Sequence, residues 1–218
     1  MVSAVLLASL LTCTPVAPSA SPSVRTTTVS ADSTLQAIFS RGITFAEFVD
    51  KAVDRREGWL RLQRDATIAP ALIARAKAVG GTWQLLVVAR DGCGDSMNSV
   101  PYAARLAESV PGLQLRIVSP SDGEVVAKSH RTQDGRTATP TFVLLDGQGA
   151  DVGCLVELPS PLRQWTDAAR ATVSSDSLHA YRNAFYARDR GASLAAELVD
   201  VLESARAGTP RCDRLMTR

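Results

Sequence analysis

Aromatic residues are scarce, at 5% of 218 positions, and there are only two histidines, His130 and His179. Two imidazoles are too few to argue a metal site, and both read as surface residues of helices. The four cysteines, Cys13, Cys93, Cys154 and Cys212, lie far apart. Without a pair at two-to-four spacing there is no zinc pattern. Charge of one sign is also lacking: 24 Lys and Arg against 22 Asp and Glu leave +2, which gives no electrostatic case for a nucleic-acid partner. The densest basic run, Lys51, Arg55, Arg56, Arg61 and Arg64, is interrupted by Asp50, Asp54 and Glu57 and reads as a solvated helix face. Glycine-rich phosphate loops and the Gly-x-Ser-x-Gly elbow are absent, and no His-Asp pair follows Ser96. Neither a metal nor a cofactor is expected.

What is present is organised by segment. Residues 1–13 are apolar and too short to span a bilayer comfortably. They fit a signal-peptide core ending in Leu10-Leu11-Thr12-Cys13, which resembles a lipobox with Cys13 as the lipidation site. Thr12 and the lack of a preceding Lys or Arg depart from that pattern. Residues 14–33, rich in Pro, Ser, Thr, Ala and Val, read as a flexible tether. This arrangement predicts an exported protein of the periplasm or cell envelope, held at a membrane by its N-terminal lipid.

Residues 34–81 read as a helical extension. Thr44-Phe45-Ala46-Glu47 is a capping box, and the periodicity that follows predicts one helix to about residue 64. A second spans about 69–79 and stops at Gly80-Gly81. Residues 82–172 alternate strand and helix in the order β-α-β-α-β-β-α, an α/β core. Its strands are expected at 83–90, 113–118, 141–145 and 150–156, with helices at 94–110, 121–129 and one opened by Ser160 as its cap and Pro161 in its first turn. Residues 173–218 form a C-terminal helical extension, with Leu178, Tyr181 and Phe185 on one face and a break near Gly191.

The chemistry gathers where the run Leu85–Val88 meets Arg90-Asp91-Gly92-Cys93-Gly94-Asp95-Ser96. Cys93 falls at a strand-to-helix junction, where backbone N–H groups and the helix dipole favour a thiolate. Ser96 is spaced to offer its hydroxyl or N–H to that sulfur, whereas Asp91 and Asp95 would oppose the charge if close. Cys93 as an inert core residue is the bland alternative. Pro101 lies inside the following helix, and Thr139-Pro140 directly precedes a strand.

These motifs resemble the thioredoxin superfamily, whose Trp-Cys-Gly-Pro-Cys motif occupies this junction. They are closer to a bacterial branch with Trp-Cys-Gly-Asp followed by Asn-x-x-Pro, matched here by Cys93-Gly94-Asp95, Asn98 and Pro101. The resemblance spans about residues 40–205. It implies a thioredoxin-like fold with a central mixed sheet, a cis Pro140 facing Cys93, and thiol–disulfide oxidoreductase activity on a protein or small-molecule disulfide. Cys93 and Ser96 would be the catalytic residues; Gly92, Gly94, Asp95, Thr139 and Pro140 would bind substrate. Two departures stand out. The resolving cysteine is Ser96, and the preceding tryptophan is Gly92. The activity would therefore be monothiol, and the alternative is a catalytically inactive peptide-binding module. For Cys154 and Cys212 three fates remain open: a disulfide stapling the tail to the hairpin, one of them resolving Cys93, or free thiols.

Overall fold

The computed structural model describes residues 31–212 together with Met1; the expected signal peptide, Cys13 and most of the tether lie outside the described residues. The sheet is mixed. Strand β1 (Trp83–Val88) pairs parallel with β2 (Leu113–Val118) and antiparallel with β3 (Thr141–Leu145); β4 (Asp151–Val156) pairs antiparallel with β3. A two-residue strand, β5 (Arg211–Cys212), adds parallel to β4, so the order is β2-β1-β3-β4-β5. The helices are α1 (Ala31–Arg41), α2 (Phe45–Lys51), α3 (Arg56–Asp65), α4 (Pro70–Val79), α5 (Gly94–Ser109), α6 (Glu124–Ser129), α7 (Ser160–Ala169), α8 (Ser175–Asp189) and α9 (Ala192–Arg206). This is a thioredoxin-like α/β architecture carrying helices before and after the core. Among the described residues no helix is long and apolar enough to cross a membrane.

The strands are covered on both faces, which is why β1 and β3 read as unbroken apolar runs rather than alternations. Leu85, Val87, Phe142, Leu144 and Leu155 face α2–α5 and α9 in the larger core. Leu86, Val88, Val143, Leu145 and Cys154 face the other way, onto Leu35, Ile38 and Phe39 of α1 and Val126 of α6. Leu158, Leu162, Phe185 and Tyr186 form a smaller core under α7 and α8, where Trp165 stacks on Tyr181 at 3.4 Å between ring centroids.

Three expectations are corrected. The single helix expected from Thr44 to about residue 64 is two, α2 and α3, because Arg55 turns left-handed at φ 56°. The basic run is exposed as expected, and from it Arg56 also donates to the carbonyls of Val49, Asp50 and Ala52. His130 is not a surface residue: it is buried, with Nε2 2.9 Å from Asp151 Oδ2 and Nδ1 2.9 Å from the Val126 carbonyl. Ser160 does not cap α7. Its own N–H donates to Glu197 Oε1 at 2.6 Å, a carboxylate supplied by α9. The break between α8 and α9 falls at Gly191, whose φ of 75° and packing on the Tyr102 ring leave no room for a β-carbon.

Candidate functional site

Cys93 is the N-cap residue of α5. Its extended backbone (φ −84°, ψ 122°) ends the loop from β1, and its sulfur takes the role a serine or aspartate oxygen plays at other helix starts. The Ser96 N–H points at Sγ from 3.5 Å, and the thiol donates to the Thr139 carbonyl at 3.2 Å. The Thr139–Pro140 peptide bond is cis. Cys93, Ser96, Thr139 and Pro140 thus lie together although 46 residues separate the thiol from its carbonyl partner. Ser96 is fully buried and its hydroxyl has no hydrogen-bond partner among the described residues; its backbone, not its side chain, meets the sulfur. Cys93 is partly exposed and free, while Cys154 and Cys212 are joined as a disulfide. Both are consumed in that bond, so neither is a thiol available to Cys93. Inside α5 the ring of Pro101 replaces a donor, and Asn98 Nδ2 donates to the Gly94 carbonyl at 2.8 Å in the turn before it.

The loop carrying Cys93 is held from two sides by elements outside the core. From the N-terminal side, Asp91 Oδ2 accepts the N–H groups of Val53 (2.9 Å) and Asp54 (3.1 Å). Arg55 Nε donates to the Gly92 carbonyl (2.9 Å) and Trp59 Nε1 to the Asp91 carbonyl (2.9 Å). This segment takes the space of the missing tryptophan: a β-carbon on Gly92 would sit 2.8 Å from Asp54 Oδ2. An indole there could not coexist with residues 53–55 as they lie. From the C-terminal side, Tyr186 donates to Asp95 Oδ1 at 2.9 Å and Arg182 forms an ion pair with Oδ2. Burial, and then the Asp95 charge, push the Tyr186 phenol far up; for Arg182, burial pulls down but Asp95 prevails and raises it.

Arg55, Trp59, Arg182 and Tyr186 escaped the sequence reading. Arg55 was hidden in a basic run, and the carboxylate met by Arg182 lies 87 residues away. The two acids feared as neighbours of a thiolate, Asp91 and Asp95, are each committed to other donors.

Burial alone would raise the Asp91 carboxyl, yet the N–H donors of Val53, Asp54 and Gly92 outweigh it and hold it below the ordinary aspartate value. A lowered folded value stabilises the fold above the unfolded value of about 3.9, and that contribution drains as pH falls through the folded one. Asp91→Asn is expected to cost about 2 kcal/mol at neutral pH. In urea unfolding the gap to the unsubstituted protein narrows as pH falls below the ordinary aspartate value of about 3.9; a gap constant with pH would refute this account.

Comparison with known proteins agrees with this fold. A family model described as thioredoxin matches residues 42–170. No curated protein matches the sequence. Among solved structures, a Pseudomonas aeruginosa protein of unknown function superposes with a TM-score of 0.61 at 20% identity, over 77% of this chain and 96% of that one. An HIV epitope-scaffold protein superposes with a TM-score of 0.60 at 19% identity, over 78% and 97%.

Proposed function

Because this chain belongs to the thioredoxin family, we propose that it is a monothiol thiol–disulfide exchange protein acting through Cys93. The observation that carries this reading is a free, partly exposed thiol capping α5 and facing the Thr139–Pro140 turn. The Cys93 thiolate attacks one sulfur of a disulfide R–S–S–R′. A Cys93–S–S–R bond forms, and R′ leaves as a thiolate that takes a proton from water. With serine at position 96 and both remaining described cysteines joined, a thiol from outside completes the cycle. Its thiolate attacks the sulfur of R, and Cys93 returns as thiolate. Each step exchanges one S–S bond for another. The Ser96 N–H stays on the Cys93 sulfur as a donor, and Thr139, ahead of the cis Pro140, offers its backbone to an extended peptide carrying the disulfide. The Cys154–Cys212 disulfide supports the exported location proposed from residues 1–13, since such bonds persist in oxidising compartments.

The second reading, a non-catalytic module that holds peptide at the same turn, is favoured by Ser96 and Gly92, which stand where the resolving cysteine and the flanking tryptophan would be. Mass spectrometry decides between them. Incubation of the native protein with a small symmetric disulfide is expected to add one half-disulfide to the Cys93 peptide, and Cys93→Ala to abolish the adduct. A Cys93 that reacts only after denaturation would overturn the exchange reading in favour of the module.

A further inference from the structure

Between the first turn of α5 and α8 lies a cavity of about 290 Å³, walled by Arg55, Gly94, Asn98, His179, Arg182 and Asn183. Its size is at the lower end of small-ligand sites. The charges in its wall do not cancel. Arg182 and Asp95 neutralise one another, and Tyr186 takes the remaining Asp95 oxygen. Arg55 differs: only its Nε is engaged, on the Gly92 carbonyl, and no carboxylate among the described residues lies within ion-pairing distance. Its guanidinium lies over Gly94, the residue next to the nucleophile. A β-carbon there would be 3.8 Å from Cζ and 3.9 Å from each terminal nitrogen. The flat face of the guanidinium thus covers Gly94, and its two terminal nitrogens, without a partner among the described residues, belong to the wall of a small cavity one residue from Cys93, where a guanidinium suits a carboxylate.

We propose that this cavity selects the exchange partner of Cys93, a low-molecular-mass thiol or its disulfide bearing a carboxylate that Arg55 binds. The inference rests on the exchange reading and gives it a co-substrate class. The carboxylate docks on Arg55 while its sulfur reaches Cys93. The bond changes are those already given: Cys93 sulfur bonds one half of the disulfide, and the other half departs as thiolate.

The full-length chain is reacted with dithiodipropionate, hydroxyethyl disulfide or cystamine, which are anionic, neutral and cationic. Adducts on the Cys93 peptide are timed by mass spectrometry, and each rate is divided by that of 2-mercaptoethanol with the same disulfide. The normalised anionic-to-cationic ratio is expected to be about tenfold at low salt, as for one unscreened cation near the docked charge. It falls toward one in about 0.5 M salt and in Arg55→Gln, and is retained in Arg55→Lys. Because Arg55 also holds Gly92, the salt series on the unsubstituted protein keeps the test independent of any loop shift in the variants. A ratio near one without substitution, or unchanged by both Arg55→Gln and salt, overturns this proposal alone. No adduct from any of the three disulfides overturns the exchange reading and this proposal with it.

Discussion

Trp59→Ala is expected to destabilise the protein by about 4 kcal/mol and to speed alkylation of Cys93. Trp59 has no solvent exposure. Its ring lies edge-on to Phe48 at 5.0 Å and tilted against Phe45 at 6.4 Å. Truncation removes one of the largest buried side chains and leaves a cavity between α2, α3 and the β1 loop, which accounts for most of the loss. The Asp91 carbonyl loses its indole N–H donor as well, worth about 1 kcal/mol. Trp59→Phe separates the two: it keeps most of the volume and is expected to cost close to the hydrogen bond alone. Both are read by urea unfolding at neutral pH. The alkylation rate adds a second readout, since the indole anchors the loop that ends in Cys93. A loss below about 1 kcal/mol for the alanine variant would show that the N-terminal extension is not integral to the core.

Loss of the Cys154–Cys212 disulfide is expected to cost about 4 kcal/mol, the chain-entropy value for a closed loop of this length, given its separation of 58 residues. Cys154 is buried in β4 and tolerates the reduced state as a small apolar side chain. Cys212 lies in β5, which among the described residues has two residues and pairs only with Gly153 and Cys154. A strand of that length has almost no hold on the sheet without the covalent bond. Cys212→Ala should therefore unfold at lower urea than the oxidised protein, and the difference should vanish when both are measured with reductant. Equal midpoints in oxidised and reduced protein would contradict the structure at this point.

Much of this was legible because it is local. The alternation at 113–118 and the apolar run at 141–145 coincide with β2 and β3, and the Thr44–Glu47 box caps α2 as its spacing predicts. The site was legible where motif and position coincide: Cys93 at the helix start, Thr139-Pro140 before a strand. What was not legible depends on distant partners. Nothing between 52 and 55 announces a helix break, because Asp91, 38 residues on, supplies the acceptor for the Val53 N–H. His130 reads as exposed until Asp151 is brought to it across β4. Ser160 has the composition of a cap, but Glu197 of α9 performs the function. Asp95, taken from the sequence as a substrate contact, is held by Arg182 and Tyr186 of α8.

The left-handed backbone of Arg55, at φ 56°, sets two engineering goals against each other. A residue with a side chain gives up roughly 1 kcal/mol there that glycine would not. Glycine at 55 relieves that strain and gives up the Nε bond to the Gly92 carbonyl, and it is a replacement that a library screened for heat tolerance would sample. The same codon change deletes the cation above Gly94. Variants recovered for heat tolerance should be assayed for preference among charged disulfides before any is adopted as an improved form of this protein.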